Sequence, residues 1–182
     1  MSLLIRHLFF AFLVSLIGIG NAGAAVSEED LRAAYVFNFA SLVEWPTKTL
    51  PNSTSQLTLC HFGRDDSASE RDVTALASLG GRKVNDREIV FKRLSSLAEI
   101  KSCQIAVLGE IERVTTARLA DALRGAPVVT VAMVRDAATA PEIAIALSVE
   151  EGRIVFYANN EYAKRVGLTF SSKLMRLSKK SP

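Results

Sequence analysis

RAAYVFNFASLVEWP, residues 32–46, decides how the rest of this chain is read. No charged residue stands between Ala33 and Val43, and Tyr35, Phe37 and Phe39 interleave with small and branched apolar residues. Just upstream, Ser27 and Asp30 form a capping-box-like Ser-x-x-Asp, and Glu28 and Glu29 sit in the first turn, where a helix dipole favours acids. The pattern predicts a helix from Ser27 to about Glu44. Trp45-Pro46 ends it, because the residue before a proline is pushed out of the helical region. Apolar residues fall on nearly all its sides, which predicts a helix largely buried rather than lying on the surface. Tyr35, Phe37, Phe39 and Trp45 are read as core. Asn38, Ser41 and Glu44 fall three apart, and Asn38 either lines a narrow polar strip or bridges the helix to a neighbouring loop.

Working towards the N-terminus, Arg6 and His7 precede an apolar run from Leu8 to Ile19, followed by Gly20, Asn21 and Ala22-Gly23-Ala24. That order predicts a cleavable signal peptide, residues 1–24, and a periplasmic mature domain, residues 25–182. The run is about a dozen residues, against the roughly 20 that a membrane span needs, so an uncleaved anchor is the lesser alternative. No cysteine near the exit offers a thiol for a lipid. The 158 residues left suit one domain with a single core. Their charges, 21 basic against 19 acidic, give no argument for nucleic acid as a partner. Basic residues gather only at the end, at Lys173, Arg176, Lys179 and Lys180, with a spacing that would place several on one side of a predicted terminal helix. A solvated face is the plain reading of that group, and a partner-docking patch the sharper one.

The rest of the chain alternates strands and helices. Strands are predicted over 56–62, 87–93, 103–108, 127–134, 142–149 and 153–158, the last two flanking a Glu150-Glu151-Gly152 hairpin. Helical segments fall at 67–78, 95–100, 114–123, 160–166 and 172–178. Strands separated by helices need crossover connections, which gives a three-layer α/β sandwich. Its sheet is mainly parallel with about six strands, helices cover both faces, and an antiparallel hairpin lies on the C-terminal side.

Catalytic signals are poor. His61 is the single histidine of the mature chain, beside Cys60 at a strand end, and no His-x-x-x-His or Cys-x-x-Cys spacing offers a metal site. There is no Gly-x-Ser-x-Gly elbow and no glycine-rich phosphate loop, so neither catalytic residues nor a cofactor are assigned. Gly63-Arg64-Asp65-Asp66 follows the first strand, where doubly wound sheets place ligands, yet it reads more simply as a turn. Asp65, Asp66 and Glu70 suit a capped helix start better than a cation site. Asn159 is read as a cap on the penultimate helix. Cys60 and Cys103 are an even pair in an oxidising compartment, which favours one bridge over two buried thiols. Closing a loop of about 44 residues would stabilise the fold by roughly 4 kcal/mol in the chain-entropy model.

The opening stretch resembles the signature of the YfiR family of bacterial periplasmic regulators, on Ala34, Tyr35, Asn38, Phe39, Ala40, Glu44, Trp45 and Pro46. The resemblance continues through Gly81-Arg82-Lys83-Val84, Ile89-Val90 and Val129-Thr130-Val131. It closes on Gly152-Arg153-Ile154-Val155-Phe156, Asn159, Gly167-Leu168 and Ser171-Ser172-Lys173-Leu174. Cys60 and Cys103 fall where that family places cysteines, which supports their pairing. The chain departs from the family at Ala140-Pro141-Glu142-Ile143, where a Gly-Gly-x-Ile turn is usual, and it lacks the second cysteine pair of some members.

The resemblance implies a signalling protein rather than an enzyme. Its partner would be the external domain of an inner-membrane receptor, a diguanylate cyclase or a sensor kinase. The regulator would hold a cyclase inactive, lowering cyclic di-GMP and biofilm formation. An outer-membrane, peptidoglycan-associated lipoprotein would sequester the regulator, and family members are commonly homodimers. A small-solute-binding module reporting to a sensor kinase is the alternative, with a small hydrolase behind it.

Overall fold

The computed structural model describes residues 26–50, 56–64, 66–109, 116–133 and 141–179. Outside them lie the expected signal peptide, the Pro51 part of its loop, Asp65, the expected helix start at Val114, Val134, Ala140 and Lys180. The quoted stretch forms helix α1, Glu28–Leu42. Ser27 caps it by accepting the Asp30 N–H at 3.0 Å, while the Ser27 hydroxyl donates to the Asp30 carboxylate. The helix stops two residues earlier than its sequence predicts. Val43–Glu44 (β1) turn extended and pair antiparallel with Thr169–Phe170 (β9), so strand pairing ends the helix before the proline does.

The main sheet holds β2 (Leu57–Phe62), β3 (Lys83–Val84), β4 (Arg87–Arg93), β5 (Ile105–Leu108), β6 (Val129–Met133), β7 (Ile145–Glu150) and β8 (Arg153–Ala158). Their order is β3-β4-β2-β5-β6-β7-β8, with β4 to β7 parallel and an antiparallel strand at each edge. The expected mainly parallel α/β sheet with a C-terminal hairpin is therefore what forms. It has seven strands where about six are predicted. The extra one, β3, is two residues folded back on β4 through Asn85-Asp86, both left-handed, and is too short for a periodic signal. The C-terminal hairpin turns through Glu151 (φ 49°) and Gly152 (φ 73°), two left-handed residues that match the twist of the flanking strands.

Four further helices are α2 (Ser67–Ala77), α3 (Thr116–Leu123), α4 (Asn160–Val166) and α5 (Ser172–Leu177). A 3-10 helix, Leu97–Ser102, carries a full capping box between Ser96 and Glu99. Side chains alternate across β2. His61 faces the first turn of α2, and Cys60 faces the 3-10 helix on the opposite side. Arg32, the charge heading the quoted stretch, reaches Asp72 on α2 at 2.7 Å and ties the two helices together.

Cys60 and Cys103 are joined, their Cα atoms 5.9 Å apart. In register Cys60 lies opposite Ala106, so strand stagger does not bring the pair together. Cys103 instead precedes β5 as the C-terminal cap of the 3-10 helix, and the chain reaches the sheet from the helical layer. Gln104 then pins that corner. Its N–H donates to the Thr58 carbonyl at 2.9 Å, and its side-chain carbonyl accepts the Thr58 N–H at 2.8 Å. Its backbone carbonyl accepts the N–H of Val129 at 2.9 Å and the indole N–H of Trp45 at 3.2 Å. Opening the bridge frees the loop in the unfolded chain and loosens this corner. Reduction is expected to lower stability by about 2–5 kcal/mol, read as a falling melting temperature. Thiol labelling of the denatured, exported protein should find no free thiol beforehand, and two labelled thiols would refute the pairing.

Candidate functional site

The signature residues divide into those the fold consumes and those it leaves on the surface. Tyr35, Phe39 and Phe156 form one aromatic cluster, with ring centroids 5.0–6.3 Å apart. The Tyr35 hydroxyl donates to the Ile154 carbonyl on β8 at 3.1 Å. Trp45 is half-buried and spends its N–H on Gln104. Pro46 lies against Gly167, where a Cβ would stand 3.2 Å from the proline ring and φ is +83°, so both space and backbone require glycine. Asn159 caps α4 by accepting the Tyr162 N–H at 2.9 Å. These residues are scaffold.

Helix α1 is not buried on all sides as its composition suggests. Ala33, Val36, Phe39 and Ala40 are buried, whereas Leu31, Ala34, Asn38 and Ser41 face solvent. Alanine and leucine on the outer face made the helix read as apolar all round. Arg82 lies over the Phe37 ring at 4.0 Å and covers part of its remaining apolar surface. The three polar residues of the strip, Asn38, Ser41 and Glu44, are all exposed.

That strip runs on into neighbouring elements. Glu44 pairs with Thr169 across β1 and β9, and the Ser171 N–H donates to the Leu42 carbonyl at 2.9 Å. Helix α5 follows and packs on α1, with Lys173 and Arg176 exposed. Lys179 does not share their helix. It lies beyond α5, beside Tyr157 at the free edge of β8, and its N–H donates to the Phe156 carbonyl at 2.9 Å. Its ammonium pairs with Glu150, which also accepts from the Tyr157 hydroxyl. Those hydrogen bonds hold the Glu150 carboxyl below its ordinary range and raise Lys179. Arg153 is exposed at the start of β8.

A second candidate lies at the carboxyl end of β2. His61 is 1% exposed, and neither ring nitrogen has a hydrogen-bond partner. The Ser69 hydroxyl beside it is likewise buried and unpartnered. Leaving such a group unsatisfied costs about 1–3 kcal/mol, so the arrangement needs a reason. Burial, then the nearby Arg93 charge, push His61 below the ordinary 6.5, with Glu70 opposing. Arg93 pairs with Glu70 at 2.7 Å and Arg64 with Asp66 at 3.1 Å, while Asp66 caps α2 by accepting the Ser69 N–H at 2.8 Å. Among the described residues, no three His, Cys, Asp or Glu side chains converge as metal ligands, and no helix is long and apolar enough to cross a membrane.

A disulfide-pinned, doubly wound α/β domain with a polar strip beside a basic helix defines the class. The chain belongs to the YfiR/HmsC-like family, whose sequence model matches residues 29–179. No curated protein matches it in sequence. Among solved structures it is similar to a conserved domain protein from Vibrio cholerae O1 biovar El Tor, with 12% identity and a TM-score of 0.47. That likeness covers 86% of this chain and 60% of that one.

Two measurements check these assignments. Phe39→Ala should cost about 3–5 kcal/mol and reduce soluble yield, whereas Asn38→Ala should leave the melting temperature nearly unchanged. As pH falls below 6.5 the unfolded chain binds a proton that folded His61 resists, so stability should decline, by at most about 1.4 kcal/mol per pH unit. The decline ends once pH passes the folded value. His61→Gln should remove it, and an unchanged slope between pH 6.5 and 5 would contradict the buried, neutral imidazole.

Proposed function

We propose that this chain is a periplasmic regulator that binds the external domain of an inner-membrane receptor, a diguanylate cyclase, and holds it inactive. Membership of the YfiR/HmsC-like family carries this reading, because that family consists of periplasmic regulators of diguanylate cyclases. The signal segment at residues 1–24 would deliver the chain to that compartment. Signature residues that the core does not absorb also support it. Asn38, Glu44 and Lys173 all face solvent along α1, β1 and α5. A stable regulator–receptor complex needs roughly 1,200–2,000 Å² of total interface, more than one side chain patch supplies. Lys173 and Arg176 would add charge selectivity at its rim.

Repression then follows from binding one receptor state more tightly than the other, and only that difference shifts the output. An outer-membrane, peptidoglycan-associated lipoprotein competing for the regulator would release the receptor, and a homodimer would present two copies of the strip. Neither partner alters the first test.

Deleting the gene should raise cyclic di-GMP and surface attachment, and restoring the exported protein should reverse both. A version lacking residues 1–24 should fail to complement. Lys173→Glu combined with Arg176→Glu should weaken repression without lowering the melting temperature. If deletion changes a neighbouring kinase's output and leaves cyclic di-GMP alone, the receptor is the kinase. If neither changes, the regulator reading fails.

A further inference from the structure

Polar groups that the fold does not use meet where β2 and β5 part. The chain leaves β2 for β4 on one side, returns to β5 on the other, and continues outward to β6, so strand order reverses at this pair. In open α/β sheets, the crevice at the carboxyl ends of two such strands is where ligands bind. The imidazole of His61 lies there. Its Nε2 is 3.3 Å and 3.5 Å from the points that Cβ atoms would occupy at Gly63 and Gly109, the residues that follow the two strands. The Ser69 hydroxyl, in the first turn of α2, lies 2.9 Å from the same Gly63 point. A side chain at Gly63 would crowd the ring, its Cβ falling 2.8 Å from the imidazole Cε1, whereas one at Gly109 would meet the ring only at ordinary contact distance. Both polar side chains are more than nine-tenths buried, and neither the ring nitrogens nor the hydroxyl has a partner.

We propose that this corner binds a small oxyanion, the phosphate or carboxylate group of a solute, with Nε2–H of His61 and Oγ–H of Ser69 donating to its oxygens. The N-terminus of the eleven-residue helix α2 supplies the favourable potential. The described charges at the mouth are Arg64 and Arg93, paired with Asp66 and Glu70. The Ser69 amide is already taken by the Asp66 carboxylate, so the anion meets the hydroxyl instead. Among the described residues, no three His, Cys, Asp or Glu side chains converge here as ligands for a cation. Bound negative charge favours the imidazolium, and by reciprocity protonation of His61 tightens the anion. The site does not depend on the regulator reading, and either can fail without the other.

The mature chain has one histidine, so its two imidazole C–H resonances are assignable without ambiguity. The exported, purified protein would be titrated with inorganic phosphate, glycerol phosphate and acetate at constant ionic strength, with chloride as control. A saturable displacement of the His61 resonances is expected, with affinity rising up to about tenfold per unit as pH falls through the His61 titration. Ser69→Ala should weaken binding about tenfold or more at an unchanged melting temperature, and His61→Gln should do the same by calorimetry. A response to either phosphate compound identifies a phosphate group, with the ester-only response marking an organic phosphate. A response to acetate alone identifies a carboxylate. No saturable response, an equal response to chloride, or full affinity in Ser69→Ala overturns the proposal.

Discussion

The corner at Cys103 and Gln104 holds the architecture together. A covalent bond from the 3-10 helix to β2 and four hydrogen bonds from one residue meet there. They join β2, β5, β6 and the segment after α1. Parallel strands draw no register from a tight turn, so something else must set how β5 lies against β2. Gln104 does so by pairing through both its backbone and its side chain with Thr58. With that register fixed, Leu59 lies opposite Ile105 and Ile105 opposite Val129, and the buried centre of the sheet follows. Trp45 carries the same constraint to α1, whose aromatic face then finds Phe156 four strands away from β2.

Much of this was legible in the sequence, for identifiable reasons. Near-continuous apolar runs at 103–108 and 127–134 marked buried parallel strands, and Ser27, Asn159 and Gly167 marked helix ends by their capping chemistry. What escaped depended on three-dimensional partners. Val43 and Glu44 continue a helical pattern, and only pairing with a segment more than a hundred residues later makes them strand. Gln104 is an ordinary polar residue until Thr58 lies beside it. The outer face of α1 misled because alanine suits both core and solvent. Lys179 shares the spacing of a helix that has already ended.

The candidate sites differ in how they could be seen. The strip on α1 was visible as a three-residue spacing, although its exposure was not. His61 looked unremarkable beside Cys60, because a buried histidine ordinarily finds a partner and nothing in the sequence says that this one does not. Its position came from the strand order, which sequence alone leaves open. The two regions also lie on different parts of the domain. One follows α1, β1 and α5, and the other lies at the carboxyl ends of β2 and β5.

The pairing of β1 with β9 carries a consequence for how the chain comes to be folded. A polypeptide emerges from its N-terminus first, so α1 appears early with Val36 and Phe39 on its inner face. Phe156, which meets Phe39, and Phe170, which pairs with Val43 just beyond the helix, appear only late in the chain. Closure over such sequence distances is slow, because the loop must be ordered before any contact rewards it. During that interval a sticky aromatic helix stands uncovered. The native state is thus completed by its last segment, and a chain cut short before Thr169 would lack the strand and helix that close over the C-terminal end of its leading helix.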